Sequence, residues 1–136
     1  MIGFVCGIKG TGKTKRMVDM ANVIVQDALG KVVFIDATKE RMFDLKHAIR
    51  LVEADEYMLE NHEAFFGFIA GLIAGDFDIH TVFIDRFLKI VNAPVETLIP
   101  LLKRLEQLAD SHNVRLIVSI SGQVEDMPAY IKEKVQ

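Results

Sequence analysis

The stretch MIGFVCGIKGTGKT, residues 1–14, joins a short apolar run to a glycine-rich segment that ends in lysine and threonine. The apolar run, residues 1–6, predicts a short buried strand. Residues 13–29 carry apolar side chains at helical spacing, which predicts an amphipathic helix. Gly30 follows at the position where a glycine commonly ends a helix. The sequence therefore predicts a tight, glycine-rich turn between a buried strand and a helix.

The rest of the chain repeats this alternation. Three further apolar runs predict buried strands, at residues 31–36, 80–85 and 114–121. The intervening segments predict helices at residues 62–75, 95–113 and 127–135, and a further helix at 41–52 within the charged region 38–62. Strands without apolar–polar alternation, separated by helices, are typical of a parallel sheet covered on both faces. We expect one α/β domain over residues 1–136, a three-layer α/β/α sandwich with a four-stranded parallel sheet.

Composition limits the functional classes. The chain has 136 residues, 51% of them hydrophobic, and a net charge of −3. Nucleic acid is not indicated as a partner, because dedicated nucleic-acid binders usually carry a basic excess. The single cysteine, Cys6, excludes a disulfide framework within the chain, and its apolar surroundings predict a buried structural thiol. The longest apolar stretch, residues 64–75, is too short to span a membrane, and no signal peptide is evident, so we expect a cytoplasmic protein.

The turn itself matches the pattern G-x-x-x-x-G-K-[ST]. The match runs through Gly7, Gly12, Lys13 and Thr14. In this pattern backbone N–H groups surround phosphate oxygens, the lysine reaches the β- and γ-phosphates, and the threonine hydroxyl binds Mg²⁺. The positive end of the following helix adds to the attraction for phosphate. We expect the remaining phosphate-binding residues to be Lys9, Gly10, Thr11 and Lys15.

With this loop between a strand and a helix, the sequence resembles the P-loop NTPase superfamily over its whole length. In many members an aspartate at the end of a second strand holds Mg²⁺ through water. The segment TVFIDR, residues 81–86, fits that pattern and makes Asp85 the expected metal residue beside Thr14. The resemblance implies ATP and Mg²⁺ as cofactors.

The absence of certain motifs indicates which branch of the P-loop NTPase superfamily the sequence resembles. Guanine-specific members carry Asn/Thr-Lys-x-Asp, whereas TKER at 38–41 ends in arginine, and they carry Asp-x-x-Gly where residues 85–88 read DRFL. Partition-type ATPases place a second lysine at the position that Ile8 occupies here, so Lys9 is one residue away from it. The layout is most similar to a minimal RecA-like core. That resemblance implies the strand order 1-4-3-2 and a polar residue in the fourth strand, Ser119 or Ser121, that senses the γ-phosphate.

The group that activates water is less evident. Many relatives place glutamate directly after the Mg²⁺-binding aspartate, and this chain has Arg86 there. Other RecA-like proteins supply the glutamate from the end of the second strand, where Glu40 lies, and Asp36 competes for the same role. We take Lys13, Asp85 and Glu40 as the candidate catalytic residues, and we expect slow or partner-stimulated hydrolysis.

Two other functions stay open. Arg86 in place of glutamate is compatible with an adaptor that binds nucleotide without hydrolysing it. The segment DRF, residues 85–87, is similar to a motif of thymidylate-kinase-type enzymes, but the chain has no segment for their arginine-rich lid. A small-molecule kinase is therefore the weaker alternative.

The helix predicted at 62–75 is apolar nearly all round. Gly67, Gly71 and Gly75 are spaced to share one face, which we expect to approach the sheet closely. The apolar side chains in Phe65–Ala74 exceed what a sheet alone would cover, so a second copy or another protein is a candidate partner there. The four histidines show no metal-ligand spacing.

Overall fold

Five parallel strands form one sheet in the computed structural model, which describes residues 1–38, 40 and 44–136. The strands are β1 (Ile2–Gly7), β2 (Lys31–Asp36), β3 (Ile49–Glu53), β4 (Ile79–Ile84) and β5 (Arg115–Ser121). Their order is β1-β5-β4-β2-β3, and every neighbouring pair is parallel. The predicted α/β class is confirmed. The predicted four strands in the order 1-4-3-2 are wrong as stated, because a fifth strand extends the sheet beyond β2.

That fifth strand, β3, replaces the helix predicted at 41–52. Residues 41–43 lie outside the described residues, and residues 49–53 pair in register with β2, from Ile49 opposite Val32 to Glu53 opposite Asp36. Ile49 and Val52 are buried while Arg50 is exposed. Part of an edge strand stays exposed to solvent, so its sequence contains charged residues among the apolar ones. Such a mixed pattern resembles that of an amphipathic helix, which is why a helix was predicted.

The described residues also form five α-helices, four of them between strands and one after β5. They are α1 (Lys13–Asp27), α2 (His62–Gly75), α3 (Phe87–Ile90), α4 (Ile99–Ser111) and α5 (Ala129–Lys132). Short 3₁₀ turns occur at Ala54–Tyr57, Val95–Leu98 and Val124–Asp126. The bounds predicted for α2 are confirmed. Helix α4 is shorter than predicted: proline is tolerated only in the first turn of a helix, where its missing N–H is not needed, so the helix begins at Ile99, directly before Pro100.

The last helix is also shorter than predicted. Beyond α5, the chain straightens and pairs with β1, since Phe4 N donates to Lys134 O at 3.0 Å and Gln136 N donates to Phe4 O at 2.8 Å. These bonds satisfy backbone groups at the outer edge of β1. The predicted helix at 127–135 is therefore reduced to Ala129–Lys132, because an open strand edge offered its last residues alternative partners.

Helices cover both faces of the sheet. On one face α1 packs Met17, Val18 and Ala21 against side chains from the strands, including Phe34, which stacks on Phe83 at 5.9 Å. On the other face α2 and α4 enclose the larger part of the core. Alternate residues of the central strands enter the two cores, so the strands are apolar throughout, as expected for a parallel sheet buried on both sides.

The glycines behave differently from the expectation. A Cβ on Gly30 would lie 2.3 Å from the backbone oxygen of Asp78, so Gly30 permits close approach of two loops, and α1 is capped by Ala28 instead. In α2, Gly67, Gly71 and Gly75 are exposed, and a Cβ on any of them would meet nothing within 4 Å. The predicted approach of this glycine face to the sheet is wrong. The opposite side of α2, with Phe65, Ile69 and Ile73, enters the core instead.

We expect Gly67→Ala to stabilise the protein by about 0.5–1 kcal/mol, because alanine lowers the backbone entropy lost on helix formation and its methyl group meets open space. Gly30→Ala is the matched control, and it should destabilise the protein because its methyl group would collide with backbone. Thermal melting of the two variants beside the wild type measures both effects. Destabilisation by Gly67→Ala would show that this face of α2 is packed.

Candidate functional site

The turn between β1 and α1 has a geometric requirement for each of its glycines. Gly10 and Gly12 have φ of 88° and 86°, in the left-handed region that favours glycine. A Cβ on Gly7 would lie 2.6 Å from Thr11 Oγ1. Thr11 closes the turn by donating to Ile8 O from both its backbone nitrogen, at 3.2 Å, and its hydroxyl, at 2.6 Å. The loop is therefore a tight turn fixed by its own hydrogen bonds.

Lys13, the first residue of α1, is folded against this loop. Its side chain is nine-tenths buried, and Nζ donates to Ile8 O at 3.2 Å. The first hydrogen bond of the helix runs from Arg16 N to Gly12 O, and Gly12 offers no side-chain cap. Helix geometry leaves the N–H groups before Arg16 without partners inside the helix. The turn thus combines a lysine ammonium with the positive end of a 15-residue helix.

An open cleft of about 570 Å³ lies against the loop, and we refer to it as the loop cleft. Its lining residues are Lys9, Gly10, Gly12, Lys13, Thr14, Lys15, Arg86, Leu88, Lys89 and Ser121. Five of these carry a positive charge, and none of these described residues is Asp or Glu. Lysine and arginine converge here although the chain as a whole is acidic. The cleft therefore favours an anionic ligand, which electrostatic focusing in a concave site attracts further.

Several of the predicted phosphate-binding residues line this cleft. Lys9, Gly10, Thr14 and Lys15 line it, and Lys15 also pairs with Asp19 across one helical turn at 2.8 Å. Gly7 and Thr11 shape the turn without lining the cleft. Leu88 and Lys89, which line it from α3, were missed by sequence reasoning, because no pattern in the sequence links that short helix to the loop.

Asp85 lies at the carboxyl end of β4 and is fully buried. Ser119 Oγ, on neighbouring β5, donates to Asp85 Oδ1 at 2.5 Å and accepts from Arg86 N at 2.8 Å. Asp85 Oδ2 has no hydrogen-bond partner among the described residues. Neither Asp85 nor Ser119 lines the loop cleft, whereas Ser121, the alternative serine, does. The structure thus brings Asp85 and Ser119 together in the interior beside the residue, Arg86, that reaches the cleft.

Arg86 also joins the end of β2 to this group. Its Nε and Nη2 donate to Asp36 Oδ1 at 2.9 and 2.8 Å, and Nη2 lies 3.3 Å from Thr38 Oγ1. Asp36 is fully buried, and burial raises the pKa of its carboxyl above the ordinary value although Arg86 opposes that rise. Glu40 is exposed and lies 3.9 Å from Arg86 Nη1. The two candidate bases at the end of β2 therefore meet Arg86, and neither lines the loop cleft.

The convergence of these groups follows from the topology. Parallel strands present their carboxyl ends at one edge of the sheet, which is where ligands bind in such sheets. Gly7 at the end of β1 lies opposite Ser121 at the end of β5, and Ile84, the last residue of β4, lies opposite Val118 of β5. The loop, the two serines and the two aspartates therefore belong to the same edge.

Cys6 precedes the loop and differs from the expectation of a buried thiol. It is only partly buried. Burial raises the pKa of its thiol above the ordinary value, and the Lys13 ammonium opposes this effect. The neutral thiol is therefore the dominant form at neutral pH.

The described residues contain no group of three or more His, Cys, Asp or Glu side chains arranged to hold a metal ion. Among the same residues, no helix is both long and apolar enough to cross a membrane. No protein-family model matches the sequence, and comparison with curated proteins gives no match.

Proposed function

We propose that this chain is a cytoplasmic Mg·ATP-binding protein with a P-loop NTPase fold of RecA-like type. The observation that carries the proposal is the strand–loop–helix unit, in which a fixed glycine turn, the Lys13 ammonium and the start of α1 face one cationic cleft. Backbone N–H groups and a lysine at a helix N-terminus suit phosphate oxygens. The position of β5 between the loop strand and the Asp85 strand supports the RecA-like branch.

The residues present also fit a Mg²⁺ ion. Thr14 offers a hydroxyl in the loop cleft, and one buried carboxylate oxygen of Asp85 has no hydrogen-bond partner in the described part of the chain. A buried, unpartnered carboxylate oxygen is costly unless a cation or water satisfies it. In this role Thr14 would bind the ion directly and Asp85 through water, with Ser119 fixing the orientation of the carboxylate. Mg²⁺, when bound, supplies neutralisation of charge on the β- and γ-phosphates.

Slow or partner-stimulated hydrolysis suits the surroundings of the candidate bases. Asp36 is engaged by Arg86, and Glu40 lies close to the same guanidinium. A carboxylate that faces arginine is a weaker base for an attacking water, because the positive charge stabilises its ionised form. We propose Glu40 as the water-orienting residue of a slow ATPase, made more effective when a partner moves it away from Arg86.

A non-hydrolysing adaptor is the second candidate. It is favoured by Arg86, which follows Asp85 at the position where many P-loop NTPases carry glutamate. In either case the nucleotide state would be read by a protein partner or by a second copy, and α2 around Phe65–Ala74 is the candidate surface. Phe66 and Phe68 are already partly covered, by Arg104 and Tyr57. The surface that α2 leaves open is therefore mainly its glycine face.

A turnover assay with γ-labelled ATP separates these functions. We expect Mg²⁺-dependent release of labelled phosphate at a low rate, and Glu40→Gln should reduce it further, by about 10-fold or more, as loss of a proton acceptor does. Glu60→Gln, an exposed glutamate before α2, serves as the matched control. Binding without any release would support the adaptor, and transfer of label to an added acceptor would support a kinase. Unchanged turnover in Glu40→Gln would remove Glu40 as the water-orienting residue.

A further inference from the structure

Arg86 has a fixed backbone, and its guanidinium lies between the loop cleft and the Asp36 carboxylate. Its φ of 58° and ψ of 49° place it in the left-handed region, which non-glycine residues other than asparagine rarely adopt. Ser119 Oγ accepts from its nitrogen at 2.8 Å, and its carbonyl accepts from Lys89 N at 2.9 Å at the start of α3. The side chain is 25% exposed and lines the loop cleft with Lys13.

The pairing of Arg86 with Asp36 is incomplete. Two guanidinium nitrogens converge on Oδ1 alone, and Asp36 Oδ2 has no partner among the described residues. The strongest arginine–carboxylate pairs use both oxygens in two parallel bonds. Among the described residues, the ion-pair partner of Nη1 is Glu40, whose Oε2 lies at the longer distance of 3.9 Å. Arg86 therefore retains donor capacity that a second anion in the loop cleft can take up.

A terminal phosphate is the anion with suitable chemistry. It offers three oxygens and a higher charge than a carboxylate, and arginine recognises it with two parallel hydrogen bonds. Asp85, directly before Arg86, is the residue proposed to hold Mg²⁺ through water, so Arg86 lies on the side of the proposed site where the γ-phosphate would bind. In a loop of this type backbone N–H groups surround the α- and β-phosphates, so the β-phosphate of a diphosphate would be held by the loop itself.

On the basis of the proposed nucleotide site, we propose that Arg86 distinguishes ATP from ADP: its guanidinium binds the γ-phosphate, and the Asp36 carboxylate competes with that phosphate for it. Thr38 and Glu40 contact the same guanidinium, so a shift of Arg86 toward phosphate changes the contacts of the segment after β2. Burial and the neighbouring Asp85 charge raise the pKa of Asp36, and the Arg86 guanidinium opposes that rise. The nucleotide state is thereby communicated from the loop cleft to Asp36, Thr38 and Glu40.

Calorimetric titration of the full chain with Mg·ATP and Mg·ADP tests this. Arg86→Asn removes the cation and keeps a residue that tolerates the left-handed backbone. We expect it to lower ATP affinity by about 10-fold or more, as loss of a charge-assisted hydrogen bond does, while ADP affinity changes by less than about 2-fold. Lys89→Asn removes the same charge from the same cleft and should weaken ATP and ADP to a similar extent.

Asp36→Asn should act in the opposite direction. The amide oxygen still accepts from Ala37 N, whose bond to Oδ1 is 2.7 Å, but the competing charge is removed. We expect tighter ATP binding with little change for ADP. If this variant melts at a much lower temperature than the wild type, Thr38→Val, which removes a weaker Arg86 contact, should give a smaller change of the same sign.

Equal loss of ATP and ADP affinity in Arg86→Asn would overturn this role for Arg86, and so would weaker ATP binding in Asp36→Asn. The proposed nucleotide site fails separately: it fails if the wild type binds neither nucleotide, or if Lys13→Ala binds both as tightly as the wild type. If the wild type binds both nucleotides but Arg86→Asn leaves the ratio of ATP affinity to ADP affinity unchanged, the proposed nucleotide site stands and only the role of Arg86 is rejected.

Discussion

Replacement of Lys13 by alanine is expected to lower the affinity for Mg·ATP by at least about 100-fold, as judged by calorimetric titration. Lysine has three donors, and each charge-assisted hydrogen bond that it gives to phosphate contributes about 1.5–3 kcal/mol. Loss of two such bonds accounts for a change of this size. Lys103→Ala, on the exposed face of α4, is the matched control, and its affinity should stay within about 2-fold of the wild type.

The same substitution should leave the fold intact. Lys13 is nine-tenths buried at the positive end of α1, where a second positive charge is unfavourable. Its hydrogen bond to Ile8 O, at 3.2 Å, offsets only part of this cost. We therefore expect the melting temperature of Lys13→Ala to equal or exceed that of the wild type. A variant that unfolds at a much lower temperature would show that Lys13 stabilises the fold and that its loss affects nucleotide binding indirectly.

The second large effect is expected from Phe87→Ala. Phe87 follows Arg86, is fully buried, and meets the Phe65 ring of α2 edge-on at 5.4 Å, so it anchors the corner after β4 in the core. Truncation of a buried phenylalanine leaves a cavity and costs about 3–5 kcal/mol. Urea denaturation should show this loss as a lower midpoint with an unchanged slope.

Phe77→Ala provides the control for residue type. Phe77 lies in the loop between α2 and β4 and is 100% exposed, so its truncation should change the free energy of unfolding by no more than about 0.5 kcal/mol. Similar losses in Phe87→Ala and Phe77→Ala would contradict the burial of Phe87 in the core.

The sequence predicted the parts of the fold that depend on local pattern. Residues 1–14 define a strand, a glycine turn and the start of a helix, and all three appear where the pattern indicated. Helix α2 has the predicted bounds because Asn61 caps it, accepting from Ala64 N at 2.7 Å. Local hydrogen bonding and side-chain periodicity suffice for such elements.

The wrong predictions concern segments whose structure depends on contacts with residues distant in sequence. Strand β3 forms because β2 offers an edge, and residues 134–136 straighten because β1 offers another. The orientation of α2 was misjudged because a helix that is apolar nearly all round has no clear face, and periodicity shows which glycines share a side without showing which side is buried. Propensity is a weak guide when tertiary pairing competes with it.

The candidate site was predicted in part. Its loop residues could be identified because their spacing follows from the chemistry of phosphate binding. The ion pair of Arg86 with Asp36 joins residues far apart in sequence, and no pattern in the sequence indicated it. The positions of Leu88, Lys89 and Ser121 around the loop cleft depend on how α3 and β5 pack, which no local pattern specifies.

The central claim is that the glycine turn binds the phosphates of Mg·ATP, and amide chemical-shift mapping of the ¹⁵N-labelled chain tests it most directly. On titration with Mg·ATP, we predict that the largest shifts occur at the amides of Gly10, Gly12, Lys13 and Thr14, since their N–H groups would meet phosphate oxygens. The same titration of Lys13→Ala should give much smaller shifts at equal nucleotide concentration. Shifts confined to other parts of the chain, or none at millimolar Mg·ATP, would contradict the account.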